Sequence, residues 1–141
     1  MAGVIDMQLM RYINLFARIS KVATTNCFVY NNQIMFGVPR EKVSQAIGKE
    51  AVNVRKLSEI LRRKIKIVEM PERDDDAGIG RFVASVIEPV EFNKIDVREN
   101  TVVISAGRIG KASLIGRNRA REKELADILK NYFRIGKLRI A

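Results

Sequence analysis

The sequence contains no histidine, no tryptophan and a single cysteine, Cys27. Without histidine there is no imidazole to act as a general acid or base, and one cysteine cannot form an intramolecular disulfide or supply most zinc sites. Cys27 lies in the apolar run 27–30, where we expect a small core residue rather than a nucleophile. We therefore expect no cofactor and no bound metal.

Long hydrophobic runs are also missing. No apolar stretch approaches the roughly 18–20 residues that a membrane-spanning helix needs. The first residues lack the basic region and small-residue cleavage site of a secretory signal. These absences predict a cytoplasmic protein that does not enter a membrane.

Positive charge is abundant and unevenly distributed. The 141 residues include 26 Lys and Arg against 16 Asp and Glu, a net charge of +10. Residues 40–66 carry nine basic and three acidic side chains, and residues 107–141 carry ten and three, whereas residues 72–106 carry four and eight. Such clustering favours a polyanion-binding surface over the alternative of a generally basic, soluble exterior.

A weak internal repeat relates the two basic segments at an offset of 68 residues. Aligning 40–67 with 108–135 gives seven identities: Arg40/Arg108, Ile47/Ile115, Gly48/Gly116, Leu57/Leu125, Ile60/Ile128, Leu61/Leu129 and Ile67/Ile135. Charge alone is kept at Lys49/Arg117, Arg55/Lys123, Glu59/Asp127, Arg62/Lys130 and Lys66/Arg134, and Ile65/Phe133 stays apolar. The repeat predicts two small domains, residues 1–71 and 72–141.

Hydrophobic periodicity predicts the same order of elements in both halves. In the first half it predicts a helix at 4–20, strands at 28–30 and 34–36, helices at 40–47 and 51–63 around a turn at 48–50, and a strand at 64–69. In the second half it predicts a helix at 80–88, strands at 90–97 and 101–105, helices at 108–115 and 120–131 around a turn at 116–118, and a strand at 134–140. Asn31-Asn32 and Glu99-Asn100 supply the tight turns between the paired strands. Each half is thus expected to be α+β, a three-stranded sheet with helices packed on one face.

Two further expectations belong to this assignment. The helix at 51–63 is expected to turn Val54, Leu57, Ile60 and Leu61 inward. The acidic run 74–76, which follows Pro71, is interpreted as a solvated linker rather than a metal site, because adjacent carboxylates point in different directions.

The glycine turns carry the chemistry of the repeat. The helix that starts after each turn has amide groups without intrahelical partners and the positive end of its dipole there. Gly48 and Gly116 lack a Cβ, so we expect an anion to approach the backbone closely, with Lys49 and Arg117 adding mobile charge. The alternative is that each glycine is only a helix C-cap without a ligand.

The residues around the first turn resemble a known family. The run 46–57, Ala-Ile-Gly-Lys-Glu-Ala-Val-Asn-Val-Arg-Lys-Leu, resembles the Ile-Gly-Lys-x-Gly-x-Asn-x-Arg signature of KH domains, and the element order resembles their type II topology. The second motif, at 114–119, is weaker. Two such domains in tandem resemble the archaeal NusA-like transcription factors.

This resemblance implies that each copy holds about four nucleotides of single-stranded RNA at its glycine turn. It further implies a role in transcription elongation, termination or antitermination, with the nascent transcript and the transcription machinery as partners. Ile47, Val54 and Ile115 are expected to wall a shallow groove where unstacked bases lie. With six Phe and three Tyr, we do not expect an aromatic stacking platform. The candidate RNA-binding residues are Arg40, Ile47, Gly48, Lys49, Ala51, Asn53, Arg55 and Lys56 in the first copy, and Arg108, Lys111, Ile115, Gly116, Arg117, Asn118, Arg119, Arg121 and Lys123 in the second.

The motif departs from the family at two points. The family's loop is Gly-x-x-Gly, but its fourth position is Ala51 in the first copy and Arg119 in the second. Glu50 also places a negative charge in the first loop, which should weaken phosphate binding there.

Two other classes of function are alternatives to this one. One is a ribosome-associated or ribosome-assembly KH module that binds structured RNA or a protein partner, which analogy of fold alone cannot separate from the first. The other is an enzyme, which we do not expect, because Gly78-Ile79-Gly80 lacks the spacing of a phosphate-binding loop. Glu59, four residues from both Arg55 and Arg63, is interpreted as an ion-pair partner rather than a catalytic acid.

Overall fold

A computed structural model describes residues 6–141, and the chain divides into two compact units between Met70 and Pro71. The first unit contains α1 (Met7–Ser20), β1 (Asn26–Tyr30), β2 (Gln33–Pro39), α2 (Val43–Ile47), α3 (Val52–Leu61) and β3 (Lys64–Met70), with short 3-10 turns at Arg40–Lys42 and Lys49–Ala51. Residues 4 and 5, where the first helix was predicted to start, lie outside the described residues.

The second unit repeats this order. It contains α4 (Asp76–Ile87), β4 (Lys94–Arg98), β5 (Thr101–Ser105), α5 (Arg108–Ile115), α6 (Ala120–Phe133) and β6 (Lys137–Ile140), with a 3-10 turn at Arg117–Arg119. Residues 6–141 therefore form two three-stranded sheets and six α-helices, and the predicted α+β class is confirmed.

Both sheets have the same topology. The strand orders are β1-β2-β3 and β4-β5-β6, with the first pair antiparallel and the second pair parallel in each sheet. The predicted tight turns are present, since Asn31 and Asn32 have φ of 52° and 61°, and Glu99 and Asn100 have φ of 45° and 68°. The parallel pairing requires a crossover, and in each unit the two helices that flank the glycine turn make it.

The core of the first unit forms where α1 and α3 cover the sheet. Phe16 of α1 stacks on Phe36 of β2, with ring centroids 4.3 Å apart and planes 9° from parallel. Leu57 of α3 is fully buried in the same cluster. Phe28 and Met35 lie on the opposite face of the sheet and are also buried. Both faces of this sheet therefore carry buried side chains.

The second unit has its own buried apolar set, drawn from both helices and strands. Phe82 of α4 meets Phe133 of α6 edge to face, with ring centroids 4.9 Å apart. Val102 and Ile104 of β5 and Leu125 of α6 are fully buried.

In the structure the repeat alignment holds only as far as Leu61 and Leu129. Because α6 has 14 residues and α3 has 10, the chain reaches the final strand later in the second unit. Lys64 pairs with the first residue of β2, and Lys137 pairs with the first residue of β5. The aligned pairs Arg62/Lys130, Ile65/Phe133, Lys66/Arg134 and Ile67/Ile135 were therefore wrong as structural equivalences.

Several predicted boundaries also shift. Helix α4 starts at Asp76 rather than at residue 80, because the Asp75 carboxylate accepts a hydrogen bond of 2.7 Å from the Gly78 amide. The acidic run is thus not merely a linker, since it caps a helix. Strand β4 starts at Lys94 rather than residue 90, and β6 starts at Lys137 because Arg134 ends α6 in a left-handed conformation.

The cap at Asp75 gives a test of this corrected boundary. Replacing Asp75 by Ala should lower the free energy of unfolding of the second unit by about 1 kcal/mol, because the first turn of α4 loses its side-chain acceptor. The matched control is Asp74→Ala, which removes the same charge next to the cap and should change stability by less than about half of that. Urea unfolding of both variants measures the difference, and equal losses would contradict the capping role.

Candidate nucleic-acid interface

Each glycine turn begins where a glycine ends a helix. The amide of Gly48 donates to the Ser44 carbonyl at 3.0 Å, and the amide of Gly116 donates to the Ala112 carbonyl at 2.9 Å. The φ angles are 82° at Gly48 and 73° at Gly116, values that residues with a side chain rarely adopt. The C-cap role therefore holds at both turns, whatever they bind.

The space beside each glycine is already occupied by the protein. A Cβ on Gly48 would lie 2.9 Å from Asn53 Nδ2 and from Val52 Cγ1. A Cβ on Gly116 would lie 2.7 Å from Arg121 Cγ. The missing side chain therefore accommodates the next helix, and the approach of an anion to the backbone at each turn stays a prediction.

Asn53 and Arg121 hold corresponding positions in the two turns. The Asn53 amide nitrogen donates to the Gln45 carbonyl at 3.0 Å, which joins the first turn of α3 to α2. Arg121 forms an ion pair with Glu124, with Nε 3.1 Å from Oε1, and its side chain is only 22% exposed. Of the predicted site residues, these two thus have positioning contacts inside the protein.

The third and fourth loop residues have a left-handed backbone in both copies. The φ and ψ angles are 55° and 32° at Glu50, 59° and 30° at Ala51, 55° and 30° at Asn118, and 62° and 24° at Arg119. A left-handed residue other than glycine costs about 1–2 kcal/mol, and asparagine tolerates it best. The fourth position of each loop therefore has a backbone that favours glycine, although Ala51 and Arg119 occupy it.

This backbone places the N-terminal ends of α3 and α6 directly after the loops. Neither helix has a side-chain cap on its first turn. Its first amides, together with the helix dipole, give a partial positive charge at that end. An anion at this position would be stabilised in both units.

Eight of the cations predicted at the site are exposed. In the first unit they are Arg40, Lys49, Arg55 and Lys56, and in the second they are Arg108, Lys111, Arg117 and Lys123. None of these eight forms an ion pair with another residue of 6–141. Their charge is available to a ligand.

Arg119 differs from those cations because Glu122 already holds it. Its Nε and Nη2 lie 2.9 Å and 3.2 Å from the two Glu122 oxygens, and this hydrogen-bonded pair raises the pKa of the exposed guanidinium. Sequence reasoning missed Glu122 and Glu124 as partners, although the spacing of three residues on a helix predicts such pairs.

The remaining predictions around the site have mixed outcomes. Ile47, Val54 and Ile115 are half-buried beside the turns, whereas Ile60 is 52% exposed and its predicted inward position was wrong. The expected pairing of Glu59 with Arg55 and Arg63 was wrong too. Within the described chain Glu59 has no ion pair, and Arg63 instead donates to the Asn32 side-chain oxygen at 2.8 Å.

Groups that would support other chemistry are few in the described part of the chain. Cys27 is 2% exposed, and burial, followed by the nearby Asp6 charge, raises its thiol pKa to about 12. Residues 6–141 contain no cluster of three potential metal ligands among His, Cys, Asp and Glu. None of the helices they form combines the length and apolarity that crossing a membrane would take.

Part of the chain matches a known protein family. Residues 16–75 match the family model of the NusA-like second KH domain. The topology of both units, with a helix-turn-helix between parallel strands, is consistent with domains of the KH type.

Two relatives extend the likeness over more of the chain. The probable transcription termination protein NusA of Halococcus morrhuae is 25% identical over 103 residues, which is 73% of this chain and 70% of that one. The crystal structure of APE1850 is 28% identical, with a TM-score of 0.68, and the match covers 97% of this chain and 100% of that one. The second likeness therefore includes both units.

The packing at Gly48 yields a direct test of the turn. Gly48→Ala should lower the free energy of unfolding by about 1–3 kcal/mol, because the new methyl group meets Asn53 and Val52 and the φ angle is unfavourable. Gly80→Ala in α4 is the control, since its Cβ would meet no atom within 4 Å and the helix should gain up to about 1 kcal/mol. If thermal unfolding shows that Gly48→Ala is harmless, the described turn geometry is incorrect.

Proposed function

We propose that this protein binds single-stranded RNA through two tandem KH domains of type II topology, residues 1–71 and 72–141. The observation that carries the proposal is the duplicated loop. The same unusual backbone occurs twice, each time at the uncapped start of a helix and each time among exposed, unpaired cations. A backbone of regularly spaced phosphates is the ligand that such a pair of loops fits.

The proposed contacts divide into two kinds. Phosphate oxygens would lie at the positive dipole ends of α3 and α6, while Lys49 and Arg117 neutralise charge beside them. Bases would lie against the half-buried side chains of Ile47, Val54 and Ile115. Bases are free to do so only where they are unstacked, which favours a single strand over a duplex.

The two loops should differ in strength. Glu50 puts a negative charge beside Lys49 in the first loop, whereas Asn118 occupies the same position of the second and is neutral. Arg119 adds little extra charge, because Glu122 holds it. We therefore propose that the second loop binds phosphate more tightly than the first.

The family match and the NusA relative support a role in transcription. We propose that the protein is a NusA-like factor that holds the nascent transcript during elongation, termination or antitermination, in the cytoplasm and in contact with the transcription machinery. It needs no cofactor in this role, and we propose no enzymatic activity. Holding RNA uses only positioning and charge, which the loops supply.

Charge reversal at both loops tests the placement of the site. The double variant Lys49→Asp/Arg117→Asp should bind a short unstructured RNA about 10–100-fold more weakly, because each change replaces phosphate attraction by repulsion. The slope of log affinity against log salt should become shallower by about 0.7 for each phosphate that the variant no longer neutralises.

The control for that experiment has the same change in net charge away from the loops. Arg73→Asp/Arg81→Asp alters two exposed cations of the acidic middle segment and should retain most of the affinity. Unchanged binding in the loop variant would contradict the proposed site. A hairpin that outcompetes the unstructured RNA in the unaltered protein would favour a ribosome-associated module instead.

Substitutions at the third residue of each loop test whether the two loops differ in their affinity for phosphate. Glu50→Gln should raise RNA affinity by about two- to fivefold, because it removes a negative charge near the phosphate. Asn118→Asp should lower affinity by at least as much, and both effects should shrink at high salt. Fluorescence anisotropy in two salt concentrations measures them; opposite signs would refute the electrostatic argument.

A further inference from the structure

A groove in the first unit lies apart from the glycine turn. It has a volume of about 530 Å³ and runs between α1 and the C-terminal part of α3. Leu15, Ile60 and Leu61 supply apolar lining, while Arg11 and Arg18 supply positive charge. Among the described residues that line it, none is acidic.

The repeat itself shows that the exposure of Ile60 is unusual. Ile60 and its counterpart Ile128 align within helices α3 and α6, before the two units diverge. Ile128 is 4% exposed, whereas Ile60 is 52% exposed. The same large apolar side chain is therefore covered in one unit and left open in the other.

The spacing of the two arginines on α1 favours a partner whose negative charges have the same spacing. Arg11 and Arg18 are seven residues apart on α1, which is two helical turns or about 10.5 Å along its axis. The apolar residue Leu15 lies between them on the same side of the helix. A partner helix would meet this pattern with acids at positions i and i+7 and apolar residues at i+3 and i+4.

We propose that this groove binds an acidic amphipathic helix of a protein partner. The apolar face of that helix would cover Ile60 and Leu61, and its acids would pair with Arg11 and Arg18. Burying the apolar side chains supplies affinity, and the two ion pairs fix the register.

The groove is poorly suited to RNA, the other anionic ligand. Tyr12 is the one aromatic side chain among the described residues of its lining, and it is 8% exposed with its hydroxyl bonded to the Gln8 amide. A base therefore has no aromatic face to stack on. Two cations separated by two turns also match phosphates less well than the clusters at the loops.

The experiment uses the 141-residue chain with isotope-labelled methyl groups and three probes. The first is a capped peptide of about 16 residues with Glu at i and i+7 and Leu at i+3 and i+4. The second peptide has Lys in place of both Glu residues, and the third probe is a short unstructured RNA. NMR titration follows the methyl signals of Leu15, Ile60 and Leu61.

We expect the acidic peptide to shift these methyl signals and the lysine peptide to bind about tenfold more weakly. The variant Arg11→Glu/Arg18→Glu should reverse that preference while RNA binding at the loops is retained, which separates this proposal from the function proposed above. Equal binding of both peptides, no shift with either, or shifts with RNA alone would each overturn the proposal.

Discussion

The structure of each glycine turn depends on one steric constraint, the close approach of a helix start to the glycine that ends the helix before it. At Gly48 the contact is with Val52 and Asn53, and at Gly116 it is with Arg121. A side chain on either glycine would push the second helix away. Because that helix carries buried residues such as Leu57 and Leu125, the turn is tied directly to the core of its unit.

This constraint explains how two loops with different sequences keep one conformation. The first residue of each loop is a glycine packed against the next helix. The third and fourth residues of both loops have a left-handed backbone. Asn53 secures the first turn through the Gln45 carbonyl, while Arg121 packs its stem on the second and pairs with Glu124. The two loops share one backbone conformation, but their charges differ, since Glu50 is negative and Asn118, at the same position of the second loop, is neutral.

The parts of the fold that rest on local pattern could be predicted from the sequence. The asparagine turn at Asn31-Asn32 and the helix–glycine–helix order were predicted because backbone preference and periodicity specify them. The start of α4 was missed because an aspartate in a charged run is typical of a loop until its hydrogen bond to Gly78 is seen. The end of the repeat was misaligned because one chance identity, Ile67/Ile135, lies past Leu61, where α6 has an extra turn.

The candidate site shows the same division between local and tertiary information. Sequence identified the exposed cations, since clusters of Lys and Arg beside a glycine are visible without coordinates. It could not show that the space beside Gly48 is filled, because that depends on how α3 packs against α2. Nor could it show that Ile60 stays open, since helical periodicity marks an apolar residue without saying whether anything covers it.

The most direct test of the account is to follow the backbone amide signals of both loops during titration with a short unstructured RNA. The account predicts that the amides of residues 49–54 and 117–122 shift together with the side-chain signals of Lys49 and Arg117, and that the second loop saturates first. Shifts confined to other surfaces, with both loops unchanged at saturation, would contradict it.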